Sequence, residues 1–150
     1  MEDFDNLYYK ALRFLSYRPR SEREIRDRLK LKSQNSKLID KVIEKLKQQK
    51  FLNDEEFARG WIENRLRFKP RSLRLIKIEL KQKGISPAII SNSKFLISND
   101  EESARKIVQK RIGRLKGLDK QKIYEKLGRY LASKGFNWDT IKKAIDPVKS

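Results

Sequence analysis

The sequence predicts an all-α protein, an array of three tandem three-helix repeats. Three observations predict it. Apolar residues recur at helical spacing along most of the 150-residue chain, with only six glycines and four prolines and no sustained period-two alternation. Tyr17–Lys32 (YRPRSEREIRDRLKLK) is rewritten 51 residues later as FKPRSLRLIKIELKQK, pairing Pro19 with Pro70, Ser21 with Ser72, Ile25 with Ile76 and Leu29 with Leu80. The acidic segment NDEEFAR (Asn53–Arg59) returns as NDEESAR (Asn99–Arg105), 46 residues on. Self-similarity near 50 residues marks stacked helical units. The repeats are expected over 1–52, 53–98 and 99–150. Each is too small to bury a core alone, so neighbours should share core surface.

The first helix is expected over about Asp5–Tyr17, with Leu7, Ala11 and Leu15 on one face. Pro19 ends it, because the residue before a proline is pushed out of helical geometry. Ser21 caps the second helix and Glu24 completes a capping box, with Ile25 and Leu29 inward. Ser36 is expected to cap a third helix carrying Leu38, Ile39, Val42, Ile43 and Leu46. Asn53 caps the fourth, and Asp54, Glu55 and Glu56 fill its first turn, where the helix dipole favours negative charge. Its stripe is Ala58, Ile62 and Leu66, and Pro70 stops it. Ser72 starts the fifth helix and Gly84 ends it in a left-handed turn.

Ser86-Pro87 opens a short sixth helix, with Ile89, Ile90, Phe95 and Leu96 as its apolar side. Asn99 caps the seventh, with Ala104, Val108 and Ile112 in register with the fourth. Asp119 caps the eighth, with Ile123, Leu127 and Leu131 inward and Gly135 at its end. Asn137 opens the last, and Trp138, Ile141 and Ile145 are apolar. Pro147 and a polar tail close the chain.

Composition narrows the function. The chain holds no cysteine and no histidine, which excludes disulfides, thiolate or imidazole metal sites, Cys or His nucleophiles and imidazole acid–base catalysis. Ser21 and Ser72 read as caps, since no base is present to activate them. The acidic triples at Asp54 and Asp100 read as dipole partners, not as metal ligands. Gly113–Gly117 lacks a phosphate-cradle pattern. No enzyme, cofactor or metal is expected. The acidic start and the lack of a long apolar run predict a soluble, cytoplasmic protein with no membrane partner.

The net charge is +18 at pH 7 with a pI near 10.2, so the expected partner is anionic. The charge is spread over the whole body: fourteen cations against eight acids in 1–52, ten against five in 53–98, fourteen against seven in 99–150. Uniform like charge argues for a monomer. The densest run is Arg59–Lys83, with nine cations against Glu63 and Glu79. Lys41, Lys45 and Lys47 have acids beside them and read as a solvated face. Lys69, Arg71, Arg74, Lys77 and Lys81 recur at helical steps with almost nothing to neutralise them, and Arg18, Arg20, Arg23, Arg26 and Lys30 repeat the pattern one unit earlier. These ten are the candidate binding residues. They would hold phosphates without reading base sequence, on single- or double-stranded DNA, with affinity falling steeply in salt. Tyr8, Tyr9, Phe14, Phe57, Trp61 and Trp138 are expected to pack rather than stack on bases, and Tyr17 and Phe68 to pack at the proline corners.

The paired Pro-Arg-Ser corners, the Phe51–Arg59 segment FLNDEEFAR and the closing Leu-Ala-Ser-Lys-Gly-Phe resemble the RecX family of bacterial modulators of the RecA recombinase. The resemblance runs from about Tyr9 to Ile145. It implies a curved array of three-helix repeats lodged along a RecA–DNA filament or capping its end. Recombinase activity would thereby be restrained in DNA repair, recombination and the SOS response. It carries over no catalytic residue and marks no single binding residue. A sequence-independent nucleic-acid-binding array without a recombinase partner is the alternative that charge alone supports.

Overall fold

The computed structural model describes residues 3–92 and 100–149, with side chains described to residue 146. Among the described residues the chain forms nine α-helices and no strand. They are α1 (Phe4–Tyr17), α2 (Glu22–Lys30), α3 (Ser36–Gln48), α4 (Asp54–Phe68), α5 (Leu73–Gln82), α6 (Pro87–Ser91), α7 (Asp100–Arg111), α8 (Lys120–Ser133) and α9 (Trp138–Lys149). A short 3-10 turn, Ile112–Leu115, follows α7.

Local capping chemistry sets most of the boundaries. Asp3 caps α1, Asn53 accepts from the amides of Glu55 and Glu56, Ser86 caps α6 with Pro87 behind it, and Asp119 caps α8. Ser21 and Glu24 form the expected capping box on α2. The cap of α3 is Asn35, whose side chain accepts from Leu38 N at 3.1 Å, and not Ser36, which is the first helical residue. Asn and Ser cap comparably well, so the residue that serves is set by where the helical turn begins, one residue earlier than expected. Ile112 leaves the α-helical register of α7 for the 3-10 turn, and α9 continues past Pro147. The expected cap Asn99 and the apolar Phe95 and Leu96 lie outside the described residues.

The chain divides into two compact units, residues 1–60 with 80–93, and residues 61–79 with 94–150. Each holds one complete three-helix repeat and part of the middle one. In the first unit, Leu7 and Ala11 of α1, Ile25 and Leu29 of α2, Ile39, Val42, Ile43 and Leu46 of α3, and Leu52 form one core. In the second, Ala104, Ile107 and Val108 of α7, Leu127 and Leu131 of α8, Phe136, and Ile141, Ala144 and Ile145 of α9 form another. The middle repeat buries Phe57, Ala58, Leu80 and Ile85 in the first unit, and Ile62 and Ile76 in the second.

Within each unit the middle repeat docks through one recurring clamp. In the first, the buried Ser21 caps α2 and donates its hydroxyl to Lys83 O at 2.6 Å. Asp54 reaches from the start of α4 to accept from Glu22 N, in the first turn of α2, at 2.8 Å. Gly84 follows Lys83 at φ +83, and a Cβ there would fall 2.6 Å from Arg23 Cβ. In the second unit, the buried Ser72 caps α5 through Leu75 N at 3.0 Å and donates its own amide to Lys134 O at 3.0 Å. Asp100 accepts from Leu73 N at 3.0 Å. Gly135 follows Lys134 at φ +89, its absent Cβ making room for Ser72 and Leu75. The doubled serine corner, the doubled acidic segment and the doubled glycine are thus parts of one joint, built twice. Asp54 and Asp100 serve the N-terminus of a neighbouring helix as well as the dipole of their own.

Asp54 bears a cost for that position. Burial pushes its carboxyl above the usual range, and the Glu22 and Glu24 carboxylates add to the shift, against the Glu22 amide and Lys47.

Candidate nucleic-acid interface

Ten cations on and around α2 and α5 were singled out from sequence, and the fold divides them. Arg18 pairs with Glu24 at 2.5 Å. Arg20 lies with its guanidinium 3.8 Å from the centroid of the Phe14 ring, its Nε donating to Phe14 O at 3.4 Å and its side chain only 13% exposed. Burial, then the neighbouring Arg18, lowers its pKa. Arg23 is exposed, and its guanidinium donates to Gln82 O. Arg26 bridges Asp40 at 2.5 Å and Glu22 at 3.7 Å. Arg71 is also 13% exposed and pairs with Glu79, which additionally receives Arg65 Nε at 3.3 Å and Trp61 Nε1 at 3.1 Å. The expectation that almost nothing neutralises Arg71 therefore fails. Glu79 lies on α5, eight residues beyond Arg71, which precedes the helix.

Glu24 is the corresponding anchor in the first unit. Burial alone would raise its pKa. Hydrogen bonds from Arg18 and Ser21 N and the charges of Lys83 and Arg18 outweigh burial, so its carboxyl stays below the usual range. The two corner arginines, Arg20 and Arg71, are thus structural in position. At the 51-residue offset Phe14 stands where the second unit has Arg65, and Arg28 where it has Glu79, so Arg20 meets a ring in place of that carboxylate.

The remaining five are differently placed. Lys30, Lys69, Arg74, Lys77 and Lys81 are exposed and have no carboxylate partner among the described residues. Arg74, Lys77 and Lys81 follow one another on α5 at steps of three and four, which puts them on one helix face.

A second concentration of charge joins Lys69 and Arg71 to six cations outside the ten candidates. In the second unit a cleft of about 540 Å³ opens where α4, α7 and α8 end. Among the described residues eight cations line it and no acid does. Lys110 and Arg111 come from the last turn of α7, Arg114 from the 3-10 turn and Lys134 from the C-terminal end of α8. Arg111 lies 3.5 Å from the centroid of the Tyr130 ring. Each residue looked like an ordinary helix-terminal cation in its own segment. Only the packing of α7 against α8 brings them together, and no sequence signal announced it.

The aromatic expectations separate too. Tyr8 and Phe57 are buried, Phe14 and Trp61 half-buried. Tyr9 and Trp138 are exposed yet meet the Tyr8 and Tyr124 rings edge-on, with centroids 6.0 and 5.7 Å apart, whereas the corner residues Tyr17 and Phe68 are 70% and 61% exposed and are not packed away as expected. A ring at the last helical position before a proline turn points off the helix end, where little chain is available to cover it.

Residues 8–46, 53–93 and 99–145 match, in order, the families described as RecX, first, second and third three-helix domain. The chain belongs to the RecX family. It is 37% identical over 142 residues to the regulatory protein RecX of Clostridium tetani, covering 92% of this chain and 65% of that protein. It is 36% identical to that of Clostridium beijerinckii, over 98% and 70%. It is 33% identical to that of Bacillus subtilis, over 95% and 54%. The chain thus spans between about half and two thirds of the length of these relatives. Among solved structures, a RecX crystal structure from Lactobacillus salivarius superposes with a TM-score of 0.80 at 25% identity, over 97% of this chain and 96% of that one. The RecX fold, an all-α set of three three-helix domains, is the one described above. Its relatives are named regulatory proteins. Among the described residues no helix is long and apolar enough to cross a membrane.

Proposed function

We propose that this protein binds filaments of the RecA recombinase on DNA and restrains their activity in DNA repair and recombination, acting as a cytoplasmic monomer. The observation that carries this reading is RecX membership across all three repeats, joined to a net charge of +18 that leaves Arg74, Lys77 and Lys81 exposed and without carboxylate partners on one helix. Such cations suit the phosphates of a filament's DNA. Lys30 and Lys69 extend the same role. Arg18, Arg20, Arg23, Arg26 and Arg71 support it from structural positions, holding the helices that carry the exposed cations.

The test is RecA-dependent ATP hydrolysis on single-stranded DNA with this protein titrated in. Hydrolysis should fall as the protein approaches the recombinase concentration. Unchanged hydrolysis at equal amounts would sink the reading. The charge by itself supports a second reading, a sequence-independent nucleic-acid-binding array. An Arg74→Glu/Lys77→Glu variant separates the two. If it loses binding to bare DNA yet still inhibits, protein contacts to the recombinase carry the effect. If both are lost together, phosphate binding carries it.

A further inference from the structure

We propose that the cleft at the ends of α4, α7 and α8 is a binding site for single-stranded nucleic acid, with one base laid on Phe68 and the flanking phosphates held by Arg67, Lys110, Arg111, Arg114 and Lys134. It deepens the proposed function by assigning a strand type to a second surface.

The first support is charge. Of the eight lining cations, Arg71 is taken by Glu79 and Lys106 lies 4.0 Å from Glu102. The other six have no carboxylate partner among the described residues. Helix dipoles are the plain alternative explanation, since α4, α7 and α8 all end here. Each C-terminus carries a partial charge of roughly −0.5, so three offset about one and a half unit charges. Most of the positive charge is left without a counter-charge among the described residues, and like charges gathered in a concave site repel one another until an anion enters.

The second support is order. Arg111 is stacked on Tyr130, with Lys134 5.4 Å from the same ring, and Arg67 lies 5.1 Å from the Phe68 ring. A guanidinium already flattened on a ring loses less freedom on taking a phosphate than a free one.

The third support selects the ligand. Phe68 is 61% exposed on the edge of the cleft. A largely exposed aromatic ring with Arg67 beside it suits an unstacked base with its phosphates, and every base offers a π face, so the site has no need to read sequence. A cleft of about 540 Å³ is the size of a small-molecule pocket and admits a nucleotide, whereas a duplex keeps its bases stacked inside and reaches only the rim cations.

The experiment is fluorescence anisotropy of the full chain with labelled oligothymidylate and with a duplex of equal length, in the absence of recombinase. Phe68→Ala should weaken the single strand roughly tenfold and the duplex less than about twofold, and Phe68→Tyr should restore single-strand binding. Lys110→Gln/Arg114→Gln should flatten the slope of log affinity against log salt on the single strand by roughly 1.4. Exposure of Phe68 predicts an unchanged melting curve for Phe68→Ala, which keeps the comparison one of binding. Three outcomes overturn the proposal: no loss on Phe68→Ala, equal loss on single strand and duplex, or displacement of the oligonucleotide by polyglutamate of matched charge. Because no recombinase is present, these outcomes are independent of the ATP hydrolysis test.

Discussion

Replacing Gly84 by alanine should destabilise the protein by about 2–5 kcal/mol, far more than a turn glycine ordinarily costs. Two contributions add. Gly84 sits at φ +83, where an L side chain crowds its own backbone, at about 1–2 kcal/mol. The new Cβ would also lie 2.6 Å from Arg23 Cβ and 2.7 Å from Arg23 Cδ. The Cδ can swing away, but the Cβ is fixed to the α2 backbone, so relief requires α2 and the α5 turn to part. Overpacking of that kind costs about 1–3 kcal/mol. Gly117 isolates the first contribution: it has φ +90 with nothing within 4 Å of its Cβ position, so Gly117→Ala should cost only about 1–2 kcal/mol. At about 2–4 °C per kcal/mol for a chain of this size, Gly84→Ala should melt about 10 °C below the parent and Gly117→Ala about 4 °C below. Far-UV circular dichroism melts, with urea titrations to check the free energies, read both. A Gly84→Ala protein no less stable than Gly117→Ala would refute the close approach of α2 to the end of α5.

The clamp makes further predictions. Ser21→Ala removes a cap and the bond to Lys83 O, whereas Ser72→Ala removes a cap but keeps the amide bond to Lys134 O. Urea denaturation should therefore show Ser72→Ala about 1 kcal/mol less stable than the parent and Ser21→Ala about 2 kcal/mol less stable. Glu24 has a folded pKa below its ordinary 4.5, so it adds stability above that value and the gain is lost as pH falls through the folded pKa. The melting-temperature gap between the parent and Glu24→Gln should thus be widest at neutral pH and close below pH 4.5. Asp54 has the opposite sign: its folded pKa lies above 3.8, so its charged form costs stability that is recovered as pH falls. Asp54→Asn keeps an oxygen for Glu22 N and should melt at or above the parent at pH 7, with the advantage shrinking as pH drops towards 3.8. A lower melting temperature at pH 7 would show that the carboxylate's charge strengthens the joint.

What could be read from sequence was what is local or periodic. The capping box at Ser21 and Glu24, the cap Asp119 and the glycine stops at Gly84 and Gly135 each depend on a few adjacent residues and were found where expected. The apolar stripes of α2, α3 and α8 followed from spacing alone, because only one face of a helix can meet a core. The partnership of Asp54 with Glu22 N, 32 residues away, could not be read that way. Neither could the capture of Arg71 by Glu79 in preference to Lys77 or Lys81. Both depend on which way a long or acidic side chain turns once the helices are packed. Phe68 departs for a related reason: composition recommends burial for a phenylalanine, but at the end of α4 its ring stays 61% exposed, with the Arg67 guanidinium 5.1 Å from it.

Total charge is therefore a poor guide to where this protein binds. Arg20 and Arg71 occupy the same place in two repeats and look like the strongest phosphate ligands in sequence, yet each is 13% exposed and anchored on the fold. Freeing either guanidinium for a phosphate would leave Glu24 or Glu79 half-buried with one cation fewer, a penalty that offsets much of the new contact. The exposed cations on α5 and around the cleft carry no such cost. Salt-sensitive binding should consequently track substitutions at Arg74, Lys77, Lys110 and Arg114, while substitutions at Arg20 and Arg71 should act first on stability, by loosening the corners that hold α2 and α5 in place.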